Sequence, residues 1–231
     1  MLTHPLVLIP ALGADERLWQ PVVERLSGHV ECRVIRGEGA SIKAMADSVL
    51  EKAPEKFHLA GISMGGYVSL DVVLRNTGRV QGLALLNSSA IAAEPKRRDN
   101  SLKAIALAES GGFEKAADLI AGAVAPDRPD ITTLAGKMVR SLGVEVFKDQ
   151  QLAVAERRDR RQELSTIAVP TMVLVGDSDP ITPPHLGQEV ASGIPGTQLV
   201  TLEGVGHFSA LEDPDGVASA LLRWLLRIEG E

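Results

Sequence analysis

Apolar residues along this chain come in short unbroken blocks, separated by stretches with helical spacing. Leu6-Val7-Leu8-Ile9, Phe57-His58-Leu59-Ala60, Val80 to Leu86 and Thr171 to Val175 read as strands covered on both faces. A strand with one wet face would instead alternate apolar and polar residues. Val30 to Ile35 and Gln198 to Thr201 add two more strands. Between them the spacing predicts helices over about Leu18 to Leu26, Ser41 to Lys52, Met64 to Asn76, from Pro183 or Pro184 onward, and Pro214 to Ile228. In the second of these, Ile42, Met45, Ala46, Val49 and Leu50 share one face, and Ser41 is placed to cap the N-terminus. Strands alternating with helices predict an α/β protein, a mostly parallel twisted sheet with helices on both faces.

Residues 95–162 interrupt that alternation. They contain no convincing strand and show helical stretches at Ser101 to Ala108, Phe113 to Ala121 and Ile131 to Leu142. The expected organisation is a core of residues 1–94 and 163–231, with 95–162 inserted as an all-helical cap over the carboxyl edge of the sheet. The insertion carries 13 Lys+Arg against 10 Asp+Glu, and the rest of the chain 11 against 20. The run Glu156-Arg157-Arg158-Asp159-Arg160-Arg161 supplies most of the positive excess and reads as a solvated helix face.

Bulk properties narrow the function classes. A chain of 231 residues can hold one domain with a modest insertion, and its 45% hydrophobic and 23% charged residues are ordinary for a globular protein. A net charge of -6 argues against a general affinity for nucleic acid or an anionic membrane. No apolar run approaches the roughly 20 residues that span a bilayer. The first residues lead at once into a strand, without a basic leader, so a cytoplasmic location is expected. The lone Cys32 cannot form an internal disulfide and is expected to pack as an unreactive thiol. The five histidines are scattered, so no metal site is expected.

The chemistry concentrates at Gly61-Ile62-Ser63-Met64-Gly65-Gly66, directly after a buried strand. A G-x-S-x-G pattern between strand and helix makes a sharp turn that exposes the serine at its tip. A serine hydroxyl becomes nucleophilic only when a base takes its proton, and the base needs an orienting carboxylate. His207, in Gly204-Val205-Gly206-His207-Phe208, follows the last strand, and Asp177 and Asp179 follow the one before it. The chain order of serine, acid and histidine suits a nucleophile on an α/β sheet, where ligands bind beyond the carboxyl ends of the strands. The N–H of Met64, next after the nucleophile, is the expected first oxyanion donor.

On Leu6 to Trp19, Gly61 to Gly66, Gly176 to Pro183 and Gly204 to Phe208, the chain resembles the α/β-hydrolase superfamily, in its small cap-bearing esterase, lactonase and C–C hydrolase branch. The resemblance covers nearly the whole chain. It implies that the acid lies three residues after the glycine ending its strand, with Thr-Pro soon after, which favours Asp179 over Asp177. It also implies a second oxyanion donor in the loop after the first strand. Relatives carry His-Gly where this chain has Pro10-Ala11, and aligning on the following Leu-Gly-Ala-Asp makes Leu12 that donor.

The implied activity is a Ser-His-Asp hydrolase that cleaves a small carboxylic ester or lactone through an acyl-enzyme and needs no cofactor. The same residues would also serve a C–C hydrolase or lyase acting on a small dienoic or oxo acid. A ligand-binding signal receptor with a slow triad is the reading from another class. Trp19, Asn87, Phe113, Phe147 and Phe208 are the residues expected to line the pocket, and the partner expected is a small molecule.

Overall fold

In the computed structural model, which describes residues 1–75 and 78–230, six parallel strands form one sheet in the order β2-β1-β3-β4-β5-β6. The strands are β1 (Leu6–Ile9), β2 (Cys32–Val34), β3 (Phe57–Ile62), β4 (Val80–Leu86), β5 (Thr171–Gly176) and β6 (Gln198–Leu202). Every strand that sequence spacing predicts is present. The β2 strand is shorter than its apolar run and half-buried because it forms an edge of the sheet.

The central strands divide their side chains between two cores, as the period of two requires. Leu6, Leu8, Ala84, Leu86, Met172 and Leu174 face one core. There they meet α1 (Gln20–Leu26) and α9 (Pro214–Gly230), through Val22, Leu26, Leu221 and Trp224. The alternate residues Val7, Ile9, Leu83, Leu85, Val173 and Val175 face the other core. It is closed by α2 (Ile42–Lys52), α3 (Met64–Leu74) and α7 (Pro184–Gly193), through Met45, Val49, Val68 and Val190. Each such side chain, removed from water, contributes about 1.5–3 kcal/mol of favourable transfer energy. The predicted cap at Ser41 forms, its hydroxyl accepting the Ala44 N–H at 3.1 Å. The predicted end of the helix after the serine turn, Asn76, lies outside the described residues.

Between β4 and β5 the chain is helical. It runs through α4 (Pro95–Leu107), α5 (Phe113–Val124) and α6 (Pro129–Ala155), longer helices than the spacing suggests. Positive φ at Gly111 (85°) breaks the chain between α4 and α5, and Gly143 (81°) kinks α6. The three helices enclose a small core of their own around Ala108, Ala116, Ala117, Val139 and Phe147. Short α8 (Ser209–Glu212), which no periodicity announces, follows the histidine loop. No helix of the described residues is long and apolar enough to cross a membrane.

Candidate active site

Ser63 stands where β3 ends and α3 begins, at φ 55° and ψ -117°, a conformation that side-chain-bearing residues rarely adopt. The crowding around it explains the glycines. A Cβ at Gly61 would run into the Gly65 carbonyl, and a Cβ at Gly65 into the Ile9 carbonyl. The first turn of α3 is therefore pressed against the backbone of two strands, which holds Ser63 at the tip of the reversal. The Ser63 N–H donates to Leu86 O at 3.0 Å, and Ser88 Oγ donates to Ser63 O at 2.9 Å, fixing the strained residue from both sides.

His207 comes from the loop after β6. Its Nε2 lies 2.9 Å from Ser63 Oγ, and its Nδ1 lies 2.9 Å from Oδ2 and 3.0 Å from Oδ1 of Asp179. Asp179, in the turn after β5, is buried. Its Oδ1 accepts the N–H groups of Ile181 (2.8 Å) and Thr182 (2.9 Å). Its Oδ2 accepts the Thr182 hydroxyl at 2.6 Å and the Asn87 amide at 3.0 Å. Burial pushes this carboxyl up, but the hydrogen bond and charge of His207, with the donors of Thr182, outweigh it and hold the group below the usual carboxylate range. The geometry thus sets an ionised carboxylate against His207 Nδ1 and turns Nε2 toward Ser63 Oγ.

Asp177 does something else. It is exposed, and its Oδ1 accepts the Gly204 N–H at 2.7 Å and the Ser178 hydroxyl at 2.9 Å, tying the turn after β5 to the one after β6. Of the two acids, Asp179 is the one in contact with His207.

Leu12 and Met64 border the same cavity as Ser63, and neither N–H donates a hydrogen bond among the described residues. The loop carrying Leu12 is held from the insertion. Gly13, at φ 71°, donates its N–H to Oε1 of the buried Gln150 on α6 at 2.8 Å. Gln150 has no motif around it, so sequence reasoning had no signal for it.

The cavity beside Ser63 measures about 420 Å³ and lies between the sheet edge and the insertion. Phe208 lines it as expected, stacked on His207 with ring centroids 5.9 Å apart. The other four expected pocket residues sit elsewhere. Trp19 is fully buried in the core beneath α1 and α9, and Phe113 and Phe147 pack edge to face, 5.6 Å apart, inside the insertion. Large aromatic surfaces gain most from full burial, which a wet pocket does not offer. Asn87 lies beneath the site rather than in it, bonded to Asp179 and to Gly206 O at 3.0 Å. A second cavity, of about 480 Å³, lies on the far side of Tyr67 and has no wall in common with Ser63 or His207.

Among the described residues no group of three or more His, Cys, Asp or Glu side chains is arranged to hold a metal ion. Cys32 is half-buried, and burial, aided by Glu31, pushes its thiol up to about 11, far from a reactive thiolate.

A strained serine at a strand–helix elbow, with a hydrogen-bonded histidine and carboxylate supplied from later strand ends, defines the hydrolase architecture of an open α/β sheet. The sequence pattern of the alpha/beta hydrolase family matches residues 6–220, and the chain belongs to that family. It is similar to pimeloyl-[acyl-carrier protein] methyl ester esterase of Neisseria meningitidis serogroup B, at 27% identity over 92% of this chain and 83% of that one. It is also similar to 3-oxoadipate enol-lactonase 1 of Acinetobacter baylyi, at 28% identity over 91% of this chain and 84% of that one. Among solved structures, a malate-bound thermophilic esterase from Thermogutta terrifontis superposes with a TM-score of 0.88 at 26% identity, covering 99% of this chain and 91% of the other.

Proposed function

We propose that this hydrolase cleaves a small carboxylic ester or lactone through an acyl-enzyme, with Ser63 as nucleophile, His207 as general base and acid, and Asp179 as the orienting carboxylate. The observation that carries the reading is the unbroken hydrogen-bond chain from Ser63 Oγ through both nitrogens of His207 to Asp179. Named relatives that act on a methyl ester and an enol-lactone support the substrate class.

In this reading His207 Nε2 takes the Ser63 proton as Oγ attacks the carbonyl carbon. Asp179 then faces the positive imidazolium, whose charge its own ionisation stabilises. The developing oxyanion is met by the N–H groups of Leu12 and Met64, each such donor contributing about 2.7–4 kcal/mol to the transition state. His207 returns the proton to the leaving alkoxide, and in a lactone that alkoxide stays attached to the acyl group. A water, deprotonated by the same Nε2, then attacks the acyl carbon, the bond to Oγ breaks, and His207 returns the proton to Ser63 as the acid leaves. Helices of 95–162 act as a cap over the core of 1–94 and 163–231 and shield the reacting carbonyl from bulk water. A cytoplasmic location belongs to the same reading and is checked by fractionating the source cells.

The experiment is a panel of p-nitrophenyl esters and simple lactones assayed with wild type, Ser63→Ala and His207→Ala. Turnover by wild type and its loss in both variants is expected. A wild type no faster than the two variants on every member would sink the proposal.

A further inference from the structure

The cavity beside Ser63 is lined by aliphatic side chains and by polar ones among which cationic and amide donors outnumber the single acid, Glu94. On the insertion side, Ile120, Val124 and Val154 give the walls an aliphatic character suited to an acyl chain. Beside Val154 on α6 stands Gln151, 2% exposed, whose Nε2 is buried without any hydrogen-bond partner. Buried amide N–H₂ groups usually find an acceptor, and this one borders a cavity in which a ligand can supply it. Arg97 and Ser101, four residues apart on the same face of α4, border the same space, with Lys96 at its rim.

The cations there are also unspent. Arg98, the next residue, pairs with Glu156 at 2.7 Å, and Arg140, Arg160 and Arg161 elsewhere in the insertion all hold carboxylates. Arg97 and Lys96 hold none among the described residues. Glu94 is the one acid among the residues lining the cavity, so two cations face it there in a chain whose net charge is -6. Free guanidinium and amide donors in a cavity with aliphatic walls match a carboxylate, whose oxygens take several charge-assisted hydrogen bonds.

We infer that Gln151 and Arg97 form the recognition end of the catalytic cavity and select esters or lactones whose acyl part carries a second, anionic carboxylate. The inference rests on the hydrolase reading above. Ser63 works on one end of the acyl chain while Arg97 and Gln151 hold the other.

The test compares p-nitrophenyl hexanoate with mono-p-nitrophenyl adipate, which differ at the far end of the acyl chain. Wild type should favour the adipate ester about tenfold in kcat/KM, the scale of one charged hydrogen bond. The ratio should fall toward one in Gln151→Leu and Arg97→Gln, chiefly through KM, and recover in part in Arg97→Lys. It should also shrink with added salt. Gln151→Leu should melt no lower than wild type, since it removes an unpartnered donor, whereas a structural glutamine would lower Tm. Calorimetry of Ser63→Ala with adipate and hexanoate reads recognition without turnover, and adipate should bind more tightly through Arg97.

Equal kcat/KM for the two esters in wild type, or equal binding of the two acids, overturns the inference. If Ser63-dependent hydrolysis persists beside that equality, recognition falls and the hydrolase reading stands. If neither ester is hydrolysed but adipate still binds through Arg97 and Gln151, the hydrolase reading falls and the recognition site stands.

Discussion

The Asn87 side-chain amide donates to Asp179 Oδ2 at 3.0 Å from a backbone held at φ 44°, an unusual conformation for any residue but glycine. The same Nδ2 reaches Gly206 O at 3.0 Å, in the residue just before His207. One buried amide after the end of β4 thereby holds both Asp179 and the loop that carries His207. Asn87→Ala should lower kcat roughly tenfold or more with a smaller change in KM, because a hydrogen bond to a charged group contributes about 1.5–3 kcal/mol. Asn87→Asp should do something distinct. A second carboxylate beside Asp179 disfavours ionisation of both, so the acidic limb of the pH–rate profile should move to higher pH. An unchanged acidic limb in that variant would count against the positioning role.

Asp177 and Asp179 make a sharp pair for testing the acid. Asp179→Asn replaces the charged acceptor by an amide whose N–H₂ can hold His207 in the wrong tautomer, and in a triad such a change lowers kcat by roughly 10⁴. Asp177→Asn weakens a turn contact to the Gly204 N–H and should leave kcat within a fewfold of wild type. Steady-state kinetics on one activated ester decides between them. A large loss in Asp177→Asn with activity retained in Asp179→Asn would reverse the assignment.

Gln150 concerns the oxyanion loop. Its Oε1 accepts the Gly13 N–H at 2.8 Å, next to the proposed donor Leu12. This clamp from α6 fixes the loop just after Pro10-Ala11-Leu12. Gln150→Leu leaves a buried N–H without an acceptor, costing about 1–3 kcal/mol of stability, and frees the loop. Both Tm and kcat should fall. Gln150→Glu keeps an acceptor oxygen at the same reach, so it should recover more of kcat than Gln150→Leu does.

Asn87 and Gln150 mark where the sequence stops being readable. The order of strands and helices follows largely from local pattern, because each buried strand is a block of apolar residues and helices such as α2 show one apolar face. Ser63, His207 and the acid pair are legible because chemistry on an open parallel sheet collects at strand ends, which spacing can locate. The insertion is different. Gln150 and Gln151 are neighbours of the same type, yet one clamps Gly13 and the other faces the cavity. That division depends on how the kinked α6 lies on the sheet, a tertiary fact that no local pattern carries. The aromatic residues mislead for a related reason. Trp19, Phe113 and Phe147 suit a pocket or a core equally by type, and the larger burial available in the cores takes all three.

The end of α9 gives a prediction about acid stability. Glu229 accepts the Thr3 N–H at 2.5 Å and the His4 N–H at 2.9 Å, and its Oε1 lies 2.9 Å from Nε2 of the buried His58. It pins the last helix to the first residues and to β3. Burial pushes this carboxyl up, but the backbone N–H of Thr3 and the His58 hydrogen bond, with the N–H of His4, outweigh it. The net effect lowers it from an ordinary 4.5 to about 2. A carboxyl depressed by folding stabilises the fold fully above its unfolded value, and that contribution is lost as pH falls through the folded one. His58 works in the same direction at higher pH. Its burial outweighs the hydrogen bond that it donates to Glu229 and depresses its titration below 6.5, so protonating it also opposes folding. Wild-type Tm should therefore decline as pH is lowered from neutral and fall further between about 4.5 and 2. Glu229→Gln should melt lower than wild type at pH 7, and the gap should narrow steadily below about pH 4.5 as wild type loses the same charge. Differential scanning calorimetry across that range checks both slopes. A gap that stays constant down to pH 2 would mean that the carboxylate charge contributes nothing and that the glutamate acts through its shape alone.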